Sequence, residues 1–252
     1  MEISVIVSII LLSTLFTSFL SSIFGMLGGL ILMGVFLTIL PVGEAMILHG
    51  LIQLTSNGYR AWLNKKDIIW PIILFIFIGN ILALISFFYI AFIPNRITIL
   101  LCLGFLPFLA WALPHRFTLD IRNKFISFLA GMVVVASNLF SGTGGPLLDT
   151  FFQRVEMSRY QVVATKAIAQ SLGHISKIIF YGGLVVSASI NNWPAIWLIF
   201  SAMILSVIGT TFGKKILDQI KDEFFFNWTQ RIILCLATLF ICRALYLLFN
   251  QS

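Results

Sequence analysis

Three long stretches of this chain contain no charged residue, and they constrain its fold more than any other feature. They cover residues 3–43, 68–95 and 178–213. A membrane-spanning helix needs about 20 apolar residues, so the first and third stretches are long enough for more than one such helix. Only 10% of all residues are charged, against about 25% in soluble domains. The apolar runs are continuous rather than alternating, so we predict an all-α integral membrane protein and not a β-barrel.

Charge and cysteine content narrow the function classes. The net charge of +7 does not point to nucleic acid here, because membrane proteins collect basic residues in cytoplasmic loops. Cys102, Cys235 and Cys242 show no metal-ligand spacing and are interpreted as small core residues, so neither a metal nor a cofactor is expected. The Met1-Glu2 start has no basic region and no cleavage site, which favours a first membrane segment over a removed signal peptide.

Glycine and proline breaks divide the apolar runs into ten segments of two kinds. Eight read as long helices and two, at 30–40 and 146–152, are too short to cross a bilayer. The first half covers 1–114, the second half covers 125–252, and a basic cytoplasmic loop at 115–124 joins them. The long segments are 3–24, 44–63, 68–92, 97–113, 125–140, 158–186, 193–217 and 224–249.

The second half repeats the first. SSIFGMLGG from Ser21 aligns with SNLFSGTGG from Ser137, and each motif interrupts a long apolar run with glycines. After one inserted residue, a second set of polar residues falls into register. These are His49, Gln53, Asn57 and Arg60, aligned with Lys166, Gln170, His174 and Lys177. We therefore predict two repeats, each with a glycine-broken helical hairpin and three spanning helices.

The distribution of basic residues predicts an orientation. Four loops, 60–66, 116–124, 154–159 and 214–221, hold eleven of the sixteen Lys and Arg residues. Placing all four in the cytoplasm puts both termini in the periplasm and gives the two halves opposite topologies. Inverted repeats of this kind are common in secondary transporters, whose substrate site lies near the middle of the membrane.

Both glycine breaks are candidate binding elements. A short helix is expected after each Gly-Gly pair, and a helix start offers N–H donors and partial positive charge to an anion. Glycine also lets a ligand approach the backbone closely. The alternative is that the glycines only serve helix packing. The candidate residues are Gly28 and Gly29 in the first break and Ser141, Gly142, Thr143, Gly144 and Gly145 in the second, with Asn138 as a further donor.

The two polar stripes recur at helical spacing, so each faces one way. We expect Gln53, Asn57, Lys166, Gln170 and His174 to line a cavity, because buried polar and charged groups in membranes usually face one. Lys166 would then counter the charge of an anion. His174 is alternatively a core histidine or a proton carrier.

Three further groups near the stripes leave alternatives open. Asp149 either pairs with Lys166 or carries a coupling proton. Arg60 is interpreted as extending its side chain to the lipid headgroups. Lys177 either does the same or faces the interior of the protein.

The chain resembles the sulfite exporter TauE/SafE family over nearly its whole length. The resemblance rests on FSGTGGP at 140–146, on Val163-Ala164-Thr165, and on HGLIQLTSNGYRAW from His49. It implies transport of sulfite or organosulfonates across the bacterial inner membrane. The residues themselves predict only a small anion.

We therefore expect a secondary transporter that works by alternating access, with a small anionic substrate and membrane lipid as partners. A homodimer is compatible with this prediction, and the anion, direction of flux and coupling ion stay open. A passive anion channel is the alternative, and flux that fails to saturate would favour it.

An intramembrane enzyme would need paired acids, a metal cluster or a nucleophile with a base, and none is seen at usable spacing. A purely structural partner does not explain two buried polar stripes.

Overall fold

The structure is a computed structural model that describes residues 3–24, 27–90, 93–112, 119–152, 155–188, 195–217, 219 and 222–250. Within these residues the secondary structure is helical and contains no strand, which confirms the all-α prediction. The predicted helix bounds agree with the observed ones within three residues. The helices are α1 (Ile3–Phe24), α2 (Leu27–Ile39), α3 (Val42–Leu63), α4 (Trp70–Ile90), α5 (Arg96–Ala112), α6 (Lys124–Ser141), α7 (Gly145–Thr150), α8 (Arg159–Ala188), α9 (Ile196–Leu217) and α10 (Asp222–Phe249), with a 3₁₀ turn at Lys65–Asp67.

Five helices in the described part of the chain are long and apolar enough to cross a membrane. They are α1, α4 and α6 with most of α9 and α10, while α2 and α5 are shorter apolar helices. Their outward faces carry large exposed side chains such as Phe77, Phe105 and Phe200. Such faces match the hydrocarbon of a bilayer, so the chain is a multi-pass membrane protein.

The cysteine interpretation is wrong for two of the three residues. Cys102 is half-buried, but Cys235 and Cys242 are exposed on α10. An exposed face of an apolar helix meets lipid, where a small, weakly polar side chain is tolerated as well as in the core.

The glycine breaks differ from the prediction in their position. At the first break, Gly28 and Gly29 lie in the first turn of α2, which begins at Leu27, while 25 and 26 fall outside the described residues. At the second break, α6 ends at Ser141 and α7 begins at Gly145, so Pro146 follows the first helical residue instead of being it. The first helix therefore starts before its Gly-Gly pair, and the second starts within its pair. A first helical turn can include these glycines, because its N–H groups need no intrahelical partner.

Between the halves, residues 115–118 of the predicted central loop lie outside the described part, and α6 already begins at Lys124. The Asn123 side chain caps α6 by accepting hydrogen bonds from the Phe125 and Ile126 amides at 2.9 and 3.3 Å. Just before it, hydrogen bonds from Arg122 hold the pKa of Asp120 below its ordinary value. These contacts fix where the second half starts.

The four most extensive helix contacts can be matched between the two halves. The most extensive helix pairs are α1 with α9, α4 with α6, α3 with α8, and α5 with α10. If α1–α5 are matched in order with α6–α10, the α1–α9 pair corresponds to the α4–α6 pair. The α3–α8 and α5–α10 pairs then each correspond to themselves. The two polar-stripe helices, α3 and α8, thus meet at the centre of this arrangement.

Two glycines permit the close approach of the matched helices. A Cβ atom at Gly79 of α4 would overlap the Phe128 carbonyl oxygen of α6, and one at Gly209 of α9 would overlap the Leu15 carbonyl oxygen of α1. The residue after each glycine is hydrogen-bonded to a central helix, Asn80 to Ser176 of α8 and Thr210 to Ser56 of α3. In a membrane, where lipid is as apolar as the side chains, such close packing and polar contacts hold helices together.

Candidate functional site

The polar stripes of α3 and α8 face each other inside the protein. Gln53 and Asn57 of α3 are 3% and 2% exposed, and Gln170 and His174 of α8 are 7% and 5% exposed. Polar side chains this deep in a membrane protein lie against other protein groups or a cavity. The structure therefore brings together four of the predicted site residues.

A small cavity lies between these stripes and the two glycine breaks. Its size is about that of a single water molecule. Nine of the residues predicted for the site line it, including the further donor Asn138, and His49 joins them. The lining residues are Gly29, His49, Gln53, Asn57, Asn138, Thr143, Gly144, Gly145, Gln170 and His174.

Four side-chain atoms around the cavity have no hydrogen-bond partner among the described residues. They are Gln53 Nε2, Asn57 Oδ1, Asn138 Oδ1 and His174 Nδ1. A buried polar atom without a partner destabilises a protein by about 1–3 kcal/mol. Four such atoms around one cavity are therefore suited to a small polar ligand or to water.

Asn138 owes its position to glycine on both sides. A Cβ atom at Gly144 or Gly173 would lie 2.8 or 2.6 Å from Asn138 Nδ2. That nitrogen donates to the Val134 carbonyl of the same helix at 2.9 Å. The amide oxygen is thereby left at the cavity, and Gly144 has a packing role in addition to lining the site.

Lys177 is the most unusual residue of the site, because its side chain is completely buried. Its Nζ atom lies 2.7 Å from His49 Nδ1 and donates to the Gly142 carbonyl oxygen at 2.8 Å. Gly142 has a φ of 78°, a left-handed conformation that glycine adopts readily. This turn ends α6 and directs the carbonyl to the lysine. The reading of Lys177 as a residue that reaches the headgroups is wrong.

Lys177 has no acidic partner in the described part of the chain. The ion pairs found there join Arg122 to Asp120 and Lys166 to Asp149. A buried charge without a counter-charge is strongly unfavourable, so an ammonium here requires hydrogen-bond acceptors and favours an anion nearby. The space nearest to Lys177 is the cavity lined by its partner His49 and by His174.

Lys166 occupies a different environment from the predicted one. It pairs with Asp149 and is 18% exposed, and neither it nor Lys177 is among the residues that line the cavity. The pairing of Asp149 with Lys166 was one of the two alternatives for Asp149. Arg60 lies within electrostatic range of Lys166 and is only 7% exposed, so the interpretation that it extends to the headgroups is wrong.

The remaining predicted residues support the backbone around the site. Gly28 sits where a Cβ atom would overlap the Thr17 carbonyl of α1, so it serves the α1–α2 contact. The Ser141 hydroxyl lies 2.8 Å from the carbonyl oxygens of Ser137 and Thr143. Its hydrogen-bonding capacity is used within the break, and the hydroxyl itself does not line the cavity.

The sequence contained a signal for the residues that were missed. His49 and Lys177 are the outer members of the two stripes. His49 meets Lys177 at one end while Arg60 approaches Lys166 at the other, so the stripes run in opposite directions. In an inverted repeat, the first member of one stripe meets the last member of the other, and this rule predicts the His49–Lys177 contact.

A sequence model of the sulfite exporter TauE/SafE family matches residues 10–243. No match was found among curated proteins or among solved structures. The match includes both glycine breaks, both polar stripes and every residue that lines the cavity. The chain therefore belongs to the sulfite exporter TauE/SafE family.

Proposed function

We propose that this protein is a secondary transporter that moves a small sulfur-containing anion, such as sulfite or an organosulfonate, across the bacterial inner membrane by alternating access. The expectations that the substrate contains sulfur and that sulfite is transported rest on the family name. The cavity supplies the argument for a small anion. The proposal therefore joins a family assignment to a site whose chemistry agrees with it.

The observation that carries the proposal is the complete burial of Lys177 without an acidic partner among the described residues. Its ammonium lies one hydrogen bond from His49, a residue that lines the cavity. Since no acidic group among the described residues pairs with it, an oxyanion in the cavity is the natural counter-charge. In this proposal Lys177 takes the role that the sequence suggested for Lys166.

Among the unpartnered amide atoms around the cavity, Gln53 Nε2 is the donor available to an anion, whereas Asn57 Oδ1 and Asn138 Oδ1 accept hydrogen bonds and suit water or a hydroxyl of the ligand. Gln170 and Thr143 supply further polar groups from α8 and the second break. Gly29, Gly144 and Gly145 leave the backbone of both breaks open to the ligand. Gln53 Nε2 and backbone N–H groups of the breaks would then donate to an oxyanion, which presents oxygen atoms in several directions.

The matched helix pairs support an inverted repeat. A two-fold axis in the membrane plane between α3 and α8 would relate the α1–α9 pair to the α4–α6 pair, as the contacts suggest. The same axis would place the cavity near the middle of the membrane. With both termini in the periplasm, the His49–Lys177 contact lies on the periplasmic side of the cavity and the Lys166–Asp149 pair lies on the cytoplasmic side.

The small size of the cavity supports alternating access. Because the space is about that of one water molecule, an anion such as sulfite requires the walls to separate. Opening one side at a time would break either the His49–Lys177 contact or the Lys166–Asp149 pair. A passive channel instead needs a path open on both sides at once.

Thermal shift of the detergent-purified protein tests this proposal. The ligands are sulfite, sulfate, thiosulfate, isethionate, taurine and a set of carboxylates. A ligand at a hundred times its Kd stabilises the folded protein by about 2.7 kcal/mol, which raises the melting temperature measurably. We expect stabilisation by one or two sulfur anions.

The Lys177→Met variant should lose this stabilisation, because loss of a buried charged partner weakens binding by about 2–5 kcal/mol. Lys66→Met is the matched control, since Lys66 is exposed in the turn after α3, and it should respond as the unmodified protein does. An equal response of both variants would remove Lys177 from the site. Absence of any response to the sulfur anions would contradict the proposed substrate class.

A further inference from the structure

A chain of hydrogen bonds joins the two glycine breaks through His49 and Lys177. His49 Nε2 lies 2.9 Å from the Gly29 carbonyl oxygen in the first break. His49 Nδ1 lies 2.7 Å from Lys177 Nζ, which donates to the Gly142 carbonyl in the second break at 2.8 Å. Both side chains are completely buried. The two halves are thus connected at the cavity by one imidazole and one ammonium.

The partners of His49 determine where its proton lies. A carbonyl oxygen can only accept a hydrogen bond, so the Nε2 atom that faces Gly29 carries the hydrogen. The Nδ1 atom then carries none in a neutral imidazole, and it accepts a hydrogen bond from the Lys177 ammonium. In this state the pair holds a single positive charge.

No carboxylate among the described residues forms an ion pair or hydrogen bond with His49. From α8, His49 faces His174, with ring centroids 5.6 Å apart, and Lys177. Along α3 itself, Glu44 lies in the first turn and Arg60 in the last. The other helices that pack on α3 add little, since α1 and α2 have no charged residue and α9 has only Lys214 and Lys215 in its last turn. Asp149 of α7 is held by Lys166.

Resting on the proposed function, we propose that His49 takes up one proton when the anion binds, so that the anion and the proton cross the membrane together. An anion in the cavity accepts a hydrogen bond from the Lys177 ammonium, which releases His49 Nδ1. That atom takes a proton from water on the open side, and the new Nδ1–H donates to an oxygen of the anion. When the anion leaves on the other side, Nδ1 returns its proton to water there and again accepts from Lys177.

Charge balance explains why binding of the anion and protonation of His49 are linked. Without an anion, a protonated His49 would face the Lys177 ammonium at 2.7 Å, and two buried like charges repel strongly. With a dianion such as sulfite in the cavity, the two positive charges are matched. Because linkage is reciprocal, the proton also strengthens the binding of the anion.

The test is the number of protons taken up when the anion binds to the purified full-length protein. Isothermal titration calorimetry in buffers of different ionisation enthalpy, near pH 7, measures this number. Thiosulfate and isethionate serve as probes, because as anions of strong acids they do not themselves titrate near neutral pH. We expect the unmodified protein to take up about one proton per thiosulfate bound.

His49→Gln should bind thiosulfate more weakly, with the proton uptake reduced to near zero, because glutamine has polar atoms at similar positions but cannot take up a proton. Lys66→Met, at an exposed position in the turn after α3, is the control and should bind thiosulfate with unchanged uptake. His174→Gln changes the other histidine of the cavity, and we expect it to weaken thiosulfate binding but to retain the proton uptake per thiosulfate bound.

Each outcome decides a separate point. Thiosulfate binding without proton uptake in the unmodified protein overturns this inference and leaves the proposed function in place. Proton uptake that persists in His49→Gln overturns the assignment to His49. Proton uptake that disappears in His174→Gln overturns it too, and this result can be obtained even if His49→Gln fails to fold. If neither probe binds the unmodified protein, the proposed function itself is contradicted.

Discussion

At the scale of single residues, the charged groups of α3 and α8 divide into two sets at opposite ends of the cavity. His49 and Lys177 are fully buried and bonded to each other. Lys166 and Asp149 form an ion pair whose side chains are 18% and 26% exposed. Lys166 thus has an acidic partner among the described residues and Lys177 has none, so we expect the two lysines to have different roles.

This difference predicts how Lys166 and Asp149 respond to substitution. Lys166→Met leaves the Asp149 carboxylate half-buried and unpaired, and we expect a loss of about 1–3 kcal/mol in stability. Adding Asp149→Asn removes the unpaired charge and should recover part of that loss. Melting temperatures of the single and double variants measure the coupling. A double variant as unstable as the sum of both single variants would show that the pair contributes nothing.

The residues of the site could be predicted to the extent that they depend on one helix. Gln53, Asn57, Gln170 and His174 share a face by spacing alone, and the structure places all four at the cavity. The partners of Lys166 and Lys177 depend on how α3 crosses α8 and on where the second break turns. Spacing within one helix contains no information on either, so the sequence suggested Lys166 as the counter-charge, whereas our proposal has Lys177 in that role.

At the scale of helices, the packing of α8 against α6 sets the shape of the cavity. Gly173 lies where a Cβ atom would approach Asn138 Nδ2 to 2.6 Å and Val134 Cγ1 to 3.0 Å. Gly183 of the same helix has no atom within 4 Å of that position. Alanine substitutions at these two glycines therefore distinguish the effect of helix packing on stability from the effect of helix propensity.

We expect Gly173→Ala to destabilise the protein by about 1–3 kcal/mol, because α8 must move away from α6 to admit the methyl group. Gly183→Ala should be neutral or slightly stabilising, since alanine favours a helix over glycine. Thermal melting in detergent compares the two variants. Equal melting temperatures would contradict the close contact at Asn138.

Helix bounds were predictable because charges, prolines and glycines mark where apolar runs end. Residues 44–63, for example, were predicted as one helix and lie within α3 (Val42–Leu63). The first break was less predictable, since Gly28 and Gly29 lie inside α2. Whether a glycine interrupts a helix or lets a neighbouring helix approach it depends on that neighbour, here the Thr17 carbonyl of α1.

At the scale of the whole molecule, the matched contacts of the two halves predict matched effects of substitution. Gly79 and Gly209 each lie against a backbone carbonyl of a partner helix, whereas Gly58 of α3 has no atom within 4 Å of its Cβ position. We expect Gly79→Ala and Gly209→Ala to lower the melting temperature by similar amounts, corresponding to about 1–3 kcal/mol. Gly58→Ala should not lower it. A large effect at one of the two glycines alone would contradict equivalent packing.

The inverted topology itself stays a prediction, supported by the distribution of basic residues and by the matched helix pairs. The all-helical fold and the family were accessible from the sequence, because uncharged runs and the glycine motifs are local features. The pairing of α1 with α9 and of α4 with α6 was not, since it depends on contacts between distant parts of the chain.

The most direct test of the account is the initial rate of sulfite uptake into proteoliposomes as a function of sulfite concentration. The account predicts a rate that saturates, that exceeds the rate in protein-free liposomes, and that is lost in Lys177→Met but kept in Lys66→Met. A rate that rises linearly with concentration would favour a passive channel. Uptake no faster than in protein-free liposomes, or unaffected by Lys177→Met, would contradict a sulfite transporter whose anion site depends on Lys177.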